Sequence, residues 1–436
     1  MRHLTIIMMA VFLFSSFAYA DDWTAENKPG FETLAEAESL LVHEQAGPVM
    51  VPEPTDKAMS YYHSGNILWV ITFLWALIVP ALLLFTGFSA KIRTFASRIG
   101  RKWFFTFAIY MAIVTVIIFL LDLPLDFYRG FIRQHAYGLS NQTFGKWFSD
   151  ALKGLMVAVP MTIFIMVGPY LLLKYAPRRW WLWSGIGAVP IIIFLLIITP
   201  IYISPLFNDF GPMKDKELEA KILATAERAG IEGSRVFEVN KSVDTKAVNA
   251  YVTGFGGSKR IVLWDTLIEK LDDDEILFVM AHEMGHFVLK HVIWSVIFMS
   301  AVLMVALYLA HRFSGFIIRK YKHRFGFEKF SDIASYPLFI ALVSIFMFLT
   351  TPVFNSYSRW HERQADQFGL EVTRNNRAAA TAFIKLQTEN LANPRPGWLY
   401  KLWRSDHPPI AERVDFVNEY RPWEYNGELR FGKYFK

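Results

Sequence analysis

Residues 272–291 read DDDEILFVMAHEMGHFVLKH, and within them His282, Glu283 and His286 spell HExxH. On a helix, residues four apart share a face, so both imidazoles reach one metal ion while Glu283 projects beside them. Two histidines, a third protein ligand and an open position for water make a hydrolytic zinc site, with the glutamate taking a proton from the water. The apolar residues that start at Val292 follow without a Gly or Pro after Gly285. The helix carrying the motif is therefore expected to run straight on into a membrane span.

Outward from this stretch the chain is that of a membrane protein. Of 436 residues 53% are apolar, and mean hydropathy is +0.27, too high for a soluble enzyme of average makeup. Apolar runs of helix-spanning length occur at 67–88, 103–121, 152–173 and 180–203 before the motif, and at 292–310 and 338–354 after it. The fold class expected is mainly α: a polytopic helical bundle carrying a small α+β zinc-peptidase domain with a short β-hairpin. Pro80, Pro160, Pro169, Pro190 and Pro200 interrupt the runs and imply kinked helices, an ordinary feature of membrane bundles.

Residues 1–20 pair Arg2 and an apolar run with Ala18-Tyr19-Ala20, the pattern of a cleaved signal peptide or, alternatively, of a retained first membrane helix. Residues 21–65 are acidic and exported in either case. The loops 89–102, 174–179 and 311–336 carry most of the lysine and arginine, which sets them in the cytoplasm. The motif and the C-terminal tail then face the exported side, as in a bacterial-type inner membrane. The organisation expected is 1–20, 21–65, a four-span bundle over 66–203, the first half of the peptidase domain over 204–286, two spans over 287–354 and the second half over 355–436. With 45 basic and 39 acidic residues the net charge of +6 gives no nucleic-acid footprint. The absence of cysteine excludes disulfides, thiol catalysis and Cys-ligated zinc.

Three further segments bear on the site. The stretches 247–253 and 259–264 read as two strands joined by Gly254-Phe255-Gly256-Gly257. Such a hairpin is either purely structural or an edge that pairs with an extended peptide. His291 falls on another helical face from the His282/His286 pair and reads as a packing or membrane-interface residue. The tail 421–436 either lies on the bilayer or packs on the domain.

Glu362, in Trp360-His361-Glu362-Arg363-Gln364-Ala365-Asp366, is the candidate third ligand, because Asp366 one turn on can accept the second N–H of a ligating imidazole. On spacing alone a solvated helix face explains Glu-x-x-x-Asp better. The chain as a whole resembles the integral-membrane CAAX prenyl protease family of zinc metallopeptidases. The resemblance is carried in order by Ile203-Ser204-Pro205-Leu206-Phe207-Asn208, Asn249 to Gly254, Lys259 to Leu263 with Asp265 to Leu267, the HEMGH, Glu362 to Asp366, and His407-Pro408-Pro409-Ile410 with Arg413.

That resemblance implies His282, His286 and Glu362 as ligands of one Zn2+ per chain and Glu283 as general base. It implies His407 as oxyanion donor, Arg413 as a residue ordering the site or touching the intermediate, and Asn249 and Ala250 as a substrate-binding edge. The partners expected are the bilayer and an exported or membrane-associated polypeptide, lipidated or not, and no nucleic acid. A transporter or channel with a structural zinc site is the alternative, but the spans lack the charges of an ion pathway.

Overall fold

The computed structural model describes residues 47–231, 233–253, 260–425 and 427–436. The signal-peptide reading, most of the acidic segment and the Gly254–Gly257 turn lie outside the described residues. Chain order begins with α1 (Asp56–Phe85), α2 (Phe88–Gly100), α3 (Trp103–Ala136), α4 (Phe144–Tyr175) and α5 (Trp180–Leu206). Four of these, α1, α3, α4 and α5, are long and apolar enough to cross a bilayer. Thr55 and Thr143 start α1 and α4 by accepting the backbone N–H groups of Ala58 and Lys146. Leu120, Met156, Phe164 and Ile197 on these helices are exposed apolar side chains. Inside, Phe107, Tyr110, Met111, Tyr170 and Trp180 form the bundle's core.

The polar half folds around a sheet. Strands β1 (Phe210–Pro212), β2 (Arg235–Val239), β3 (Ala250–Thr253) and β4 (Arg260–Trp264) pair in the order β1-β2-β4-β3. The hairpin expected from sequence is thus one edge of a mixed sheet: β3 runs antiparallel to β4, while β2 lies parallel to β4 with Val236 opposite Ile261. Helix α6 (Lys216–Arg228) crosses between β1 and β2, and α7 (Asp265–Lys270) follows β4. Asp244 ties this domain to the bundle. Its carboxylate meets Lys146 at 2.8 Å, Asn208 at 2.7 Å and Lys241 at 3.3 Å.

The motif sits on α8 (Asp273–Val288), opened by a capping box in which Asp272 and Glu275 exchange side-chain and backbone hydrogen bonds. The expected continuous helix does not form. Lys290 takes a left-handed φ of 59°, ending α8 and starting α9 (His291–Phe325) in a new direction. Most of the basic residues assigned to a 311–336 loop lie on the extension of α9 beyond the apolar run.

The opposite correction applies to α10 (Tyr336–Thr373), a single helix of 38 residues that runs through the boundary expected between the last span and the second half of the peptidase domain at 354/355. The hydroxyls here are satisfied within the helix, Thr350 by the Phe346 carbonyl at 3.1 Å and Ser356 by the Pro352 carbonyl at 2.7 Å, so they do not require the helix to end. With α9 and α10 the helices able to cross a bilayer number six among the described residues.

The chain closes with α11 (Asn376–Glu389), α12 (Trp398–Trp403) and α13 (Ile410–Glu419). Ile222, Val236, Ile261, Leu263, Phe278, Phe383 and Val414 join sheet and helices in one core. The tail packs on this domain. Phe431 is buried with its N–H donating to Glu371 at 2.7 Å, and the Lys436 N–H reaches the Arg228 carbonyl.

Candidate active site

Two glycines bring α8 and α10 together. A Cβ on Gly285 would stand 3.1 Å from Phe368, and one on Gly369 would stand 2.8 Å from Phe278. This close crossing points His282 and His286 from one helix at Glu362 from the other. The two Nε2 atoms lie 3.1 Å apart; His282 Nε2 is 3.3 Å from Glu362 Oε2, and His286 Nε2 is 3.2 Å from Glu362 Oε1.

This donor set fits a cation on two counts. Ligands of a tetrahedral ion bonded at 2.0–2.1 Å stand about 3.3–3.4 Å apart, close to the separations found. Glu362 Oε2 is buried and faces only imidazole nitrogens, His282 Nε2 at 3.3 Å and His407 Nε2 at 3.2 Å, so its charge is balanced either by protons on those rings or by a cation among them. Two nitrogens and a carboxylate oxygen suit zinc.

Behind the donors stands a polar chain. Asp366 Oδ1 accepts from His282 Nδ1 at 3.0 Å, and Arg413 grips the same carboxylate through Nε at 3.0 Å and Nη2 at 2.5 Å. Asp366 and Arg413 are fully buried, the guanidinium lying 4.2 Å over the Phe383 ring. Arg413 therefore meets Asp366 directly and comes only within 4.0 Å of Glu362. His407 Nε2 stands 3.2 Å from Glu362 Oε2, and its Nδ1 donates to Asp406 at 2.9 Å.

Burial by itself lowers the His282 imidazole, but hydrogen bonds to Asp366 and Glu362 outweigh it and raise it to about 9. Burial likewise opposes protonation of His407, and the charges of Glu362 and Asp406 carry it to about 9. Burial pushes the Glu283 carboxyl above its usual range, against the pull of His286 and His282. A divalent cation at the donor atoms takes the place of the shared protons, since ligating imidazoles are neutral.

Asn249 and Ala250 are buried where β3 begins. The Asn249 carbonyl accepts from the Trp264 N–H at 3.1 Å, and Ala250 pairs with Leu263. Among the described residues β3 pairs with β4 alone, so its other side is a sheet edge. Sequence reasoning set His291 on another face as a packing or membrane-interface residue and passed over His361, and both stand beside the donors. His291 Nδ1 lies 2.9 Å from His286 Nδ1, and the His361 ring stacks on His291. Their histidine character was the available signal, but the left-handed turn that brings His291 back was not visible.

The comparisons with known proteins agree with this geometry. Residues 212–421 match the model of peptidase family M48, and residues 33–209 match the CAAX prenyl protease N-terminal region with five membrane helices. The chain is 38% identical to an uncharacterized metalloprotease, YhfN, of Bacillus subtilis over 86% of this chain and 88% of that protein. It is 30% identical to CAAX prenyl protease 1 of Saccharomyces cerevisiae over 71% of this chain and 72% of that one. The crystal structure of S. mikatae Ste24p superposes with a TM-score of 0.73 at 26% identity, covering 95% of this chain and 98% of that one. These likenesses support an integral-membrane enzyme that hydrolyses peptide bonds with a metal, and they lend the transporter reading no support. The chain belongs to peptidase family M48, among the membrane metalloproteases related to CAAX prenyl protease 1.

Proposed function

We propose that this protein is a zinc endopeptidase, one Zn2+ per chain held by His282, His286 and Glu362, that cleaves exported or membrane-associated polypeptides. The observation that carries the ligand set is the convergence of His282 Nε2 and His286 Nε2, 3.1 Å apart, on the two oxygens of Glu362, at 3.3 Å from Oε2 and 3.2 Å from Oε1. Bound zinc supplies Lewis acidity toward the scissile carbonyl and toward water. Glu283, one residue from His282 on the same helix, takes the proton of the attacking water and passes it to the leaving amine.

His407, held by Asp406, donates to the carbonyl oxygen as negative charge develops there. Arg413 acts through Asp366, which keeps His282 in the tautomer that offers Nε2. Strand β3, the last in the sheet order and starting at Asn249 and Ala250, receives an extended stretch of substrate backbone. In this reading the catalytic face lies on the exported side of a bacterial-type inner membrane, residues 1–20 act as signal peptide or first span, and lipidated as well as unlipidated polypeptides are substrates.

The test is Glu283→Gln in the purified full-length protein. It should bind zinc like the parent and lose cleavage by about 10²–10⁴-fold. A variant as active as the parent ends the mechanism. So does cleavage that persists after chelation has removed the metal.

A further inference from the structure

Lys290 adopts a left-handed backbone conformation, φ 59° and ψ 33°, which a residue bearing a Cβ rarely takes. Had α8 continued, His291 would stand about 140° around the axis from His286, at 100° per residue over five residues. The left-handed step instead makes His291 the first residue of α9 and swings its ring back. Its Nδ1 lies 2.9 Å from His286 Nδ1, with ring centroids 5.0 Å apart and planes at 74°.

Two imidazole nitrogens at that distance share one proton, one donating and the other accepting. His286 directs its other nitrogen, Nε2, at the donor set, 3.2 Å from Glu362 and 3.1 Å from His282. A nitrogen that faces a cation offers a lone pair, so the proton of neutral His286 sits on Nδ1. The hydrogen bond runs from His286 Nδ1 to His291 Nδ1, which leaves His291 protonated on Nε2.

His291 is buried, and His361 lies flat against it with centroids 4.0 Å apart and planes within 3°. His361 precedes Glu362 on α10. The third donor and the support for the second therefore come from one turn of helix.

We propose that His291 is a positioning residue for the metal: by accepting the Nδ1 proton of His286 it fixes the tautomer and ring plane of that ligand, and His361 stacked behind it fixes His291. This rests on the reading of His286 as a ligand. The two histidines of the motif are then oriented by different chemistry. His282 donates to a carboxylate clamped by Arg413, His286 to a neutral imidazole clamped by stacking. The left-handed lysine is strain retained because it delivers His291 to that position.

The test measures zinc affinity of the full-length protein in detergent by competition with a chromophoric chelator. His291→Phe keeps a flat ring against His361 but removes the acceptor, and should weaken zinc binding by about 10–100-fold. His291→Asn restores an acceptor and should recover most of that loss, while Lys290→Gly, at ease with positive φ, should bind like the parent. A phenylalanine variant that binds zinc as tightly as the parent overturns the proposal, as does an asparagine variant no better than it.

Histidine-¹⁵N NMR of the zinc-loaded parent gives a readout free of any variant. Beside the Nδ1 proton that His407 gives to Asp406, exchange-protected Nδ1 protons are expected on both His282 and His286, and protection of His282 without His286 overturns the assignment. Should Glu362→Ala and His286→Ala leave zinc binding unchanged, the ligand reading fails instead, and the two failures are told apart.

Discussion

Replacing Gly369 by alanine should spread the metal ligands apart. The added Cβ would meet Phe278 Cε2 at 2.8 Å, Phe278 Cζ at 3.1 Å and the backbone nitrogen of His282 at 3.2 Å. Non-bonded carbons settle about 3.5–4.0 Å apart, so the closest contact is short by about 0.7 Å. Phe278 is fully buried and the His282 nitrogen is helix backbone, so neither gives way alone. The helices α8 and α10 must separate.

Glu362 rides on the same helix two turns before Gly369, and a shift of that size takes its 3.2–3.3 Å separations from His282 and His286 to about 4 Å. Bonds of 2.0–2.1 Å cannot span such a set in tetrahedral geometry. Overpacking of this kind costs about 1–3 kcal/mol, against which the better helix propensity of alanine returns at most about 1 kcal/mol. Gly369→Ala should therefore lower the melting temperature in detergent and weaken zinc binding at least tenfold in chelator competition. Gly168→Ala on α4, whose Cβ would meet nothing within 4 Å, should melt at or above the parent temperature with zinc affinity intact. Parent-like melting and zinc affinity in Gly369→Ala would refute the claim that this glycine crossing sets the ligand spacing.

The remaining predictions concern the polar chain and the joint between the two halves. Asp366→Ala leaves the fully buried Arg413 without its carboxylate and should cost about 3–5 kcal/mol in denaturant unfolding; adding Arg413→Met should recover part of the stability but not the zinc affinity. Asp244 is held below its ordinary value of 3.8, because hydrogen bonds from Lys146 and Asn208 and the charge of Lys241 outweigh the opposing effect of burial. A depressed carboxyl stabilises the fold above its unfolded value and loses that contribution as pH falls through the folded one. The parent melting temperature should thus fall below about pH 4, and Asp244→Asn, already without the contribution, should show a smaller fall over the same window.

The residues around the metal were legible to different degrees, for physical reasons. The helical period alone fixes the relation of His282 to His286, and the apolar runs locate all six spans. Glu362 needed the whole pattern of blocks, because nothing in its local spacing separates a ligand from a solvated face. Lys290 carries no turn signal; its left-handed conformation is imposed by tertiary packing, so the break between α8 and α9 was read as continuity.

The reverse error at Ser356 has a local cause. Hydroxyls that bond their own helix look like a polar boundary in sequence while leaving the helix intact. The parallel pairing of β2 with β4 and the three-residue β1 joined to it are non-local or too short for periodicity to report. Gly285 stands within the motif, but its partner Gly369 gains meaning only once the two helices are seen to cross.

The 38 residues of α10 make a rod about 57 Å long, from the far end of the last span to beyond Glu362. Glu362 sits about 39 Å along it, so one degree of tilt about the starting end displaces the carboxylate by about 0.7 Å. That is the same displacement a misplaced methyl at position 369 imposes. Helix tilt responds to hydrocarbon thickness, and α8 meets α10 at the close Gly285–Gly369 crossing. One helix thus joins the bilayer to the proposed metal site, with Pro352 between the two as the place where it can bend.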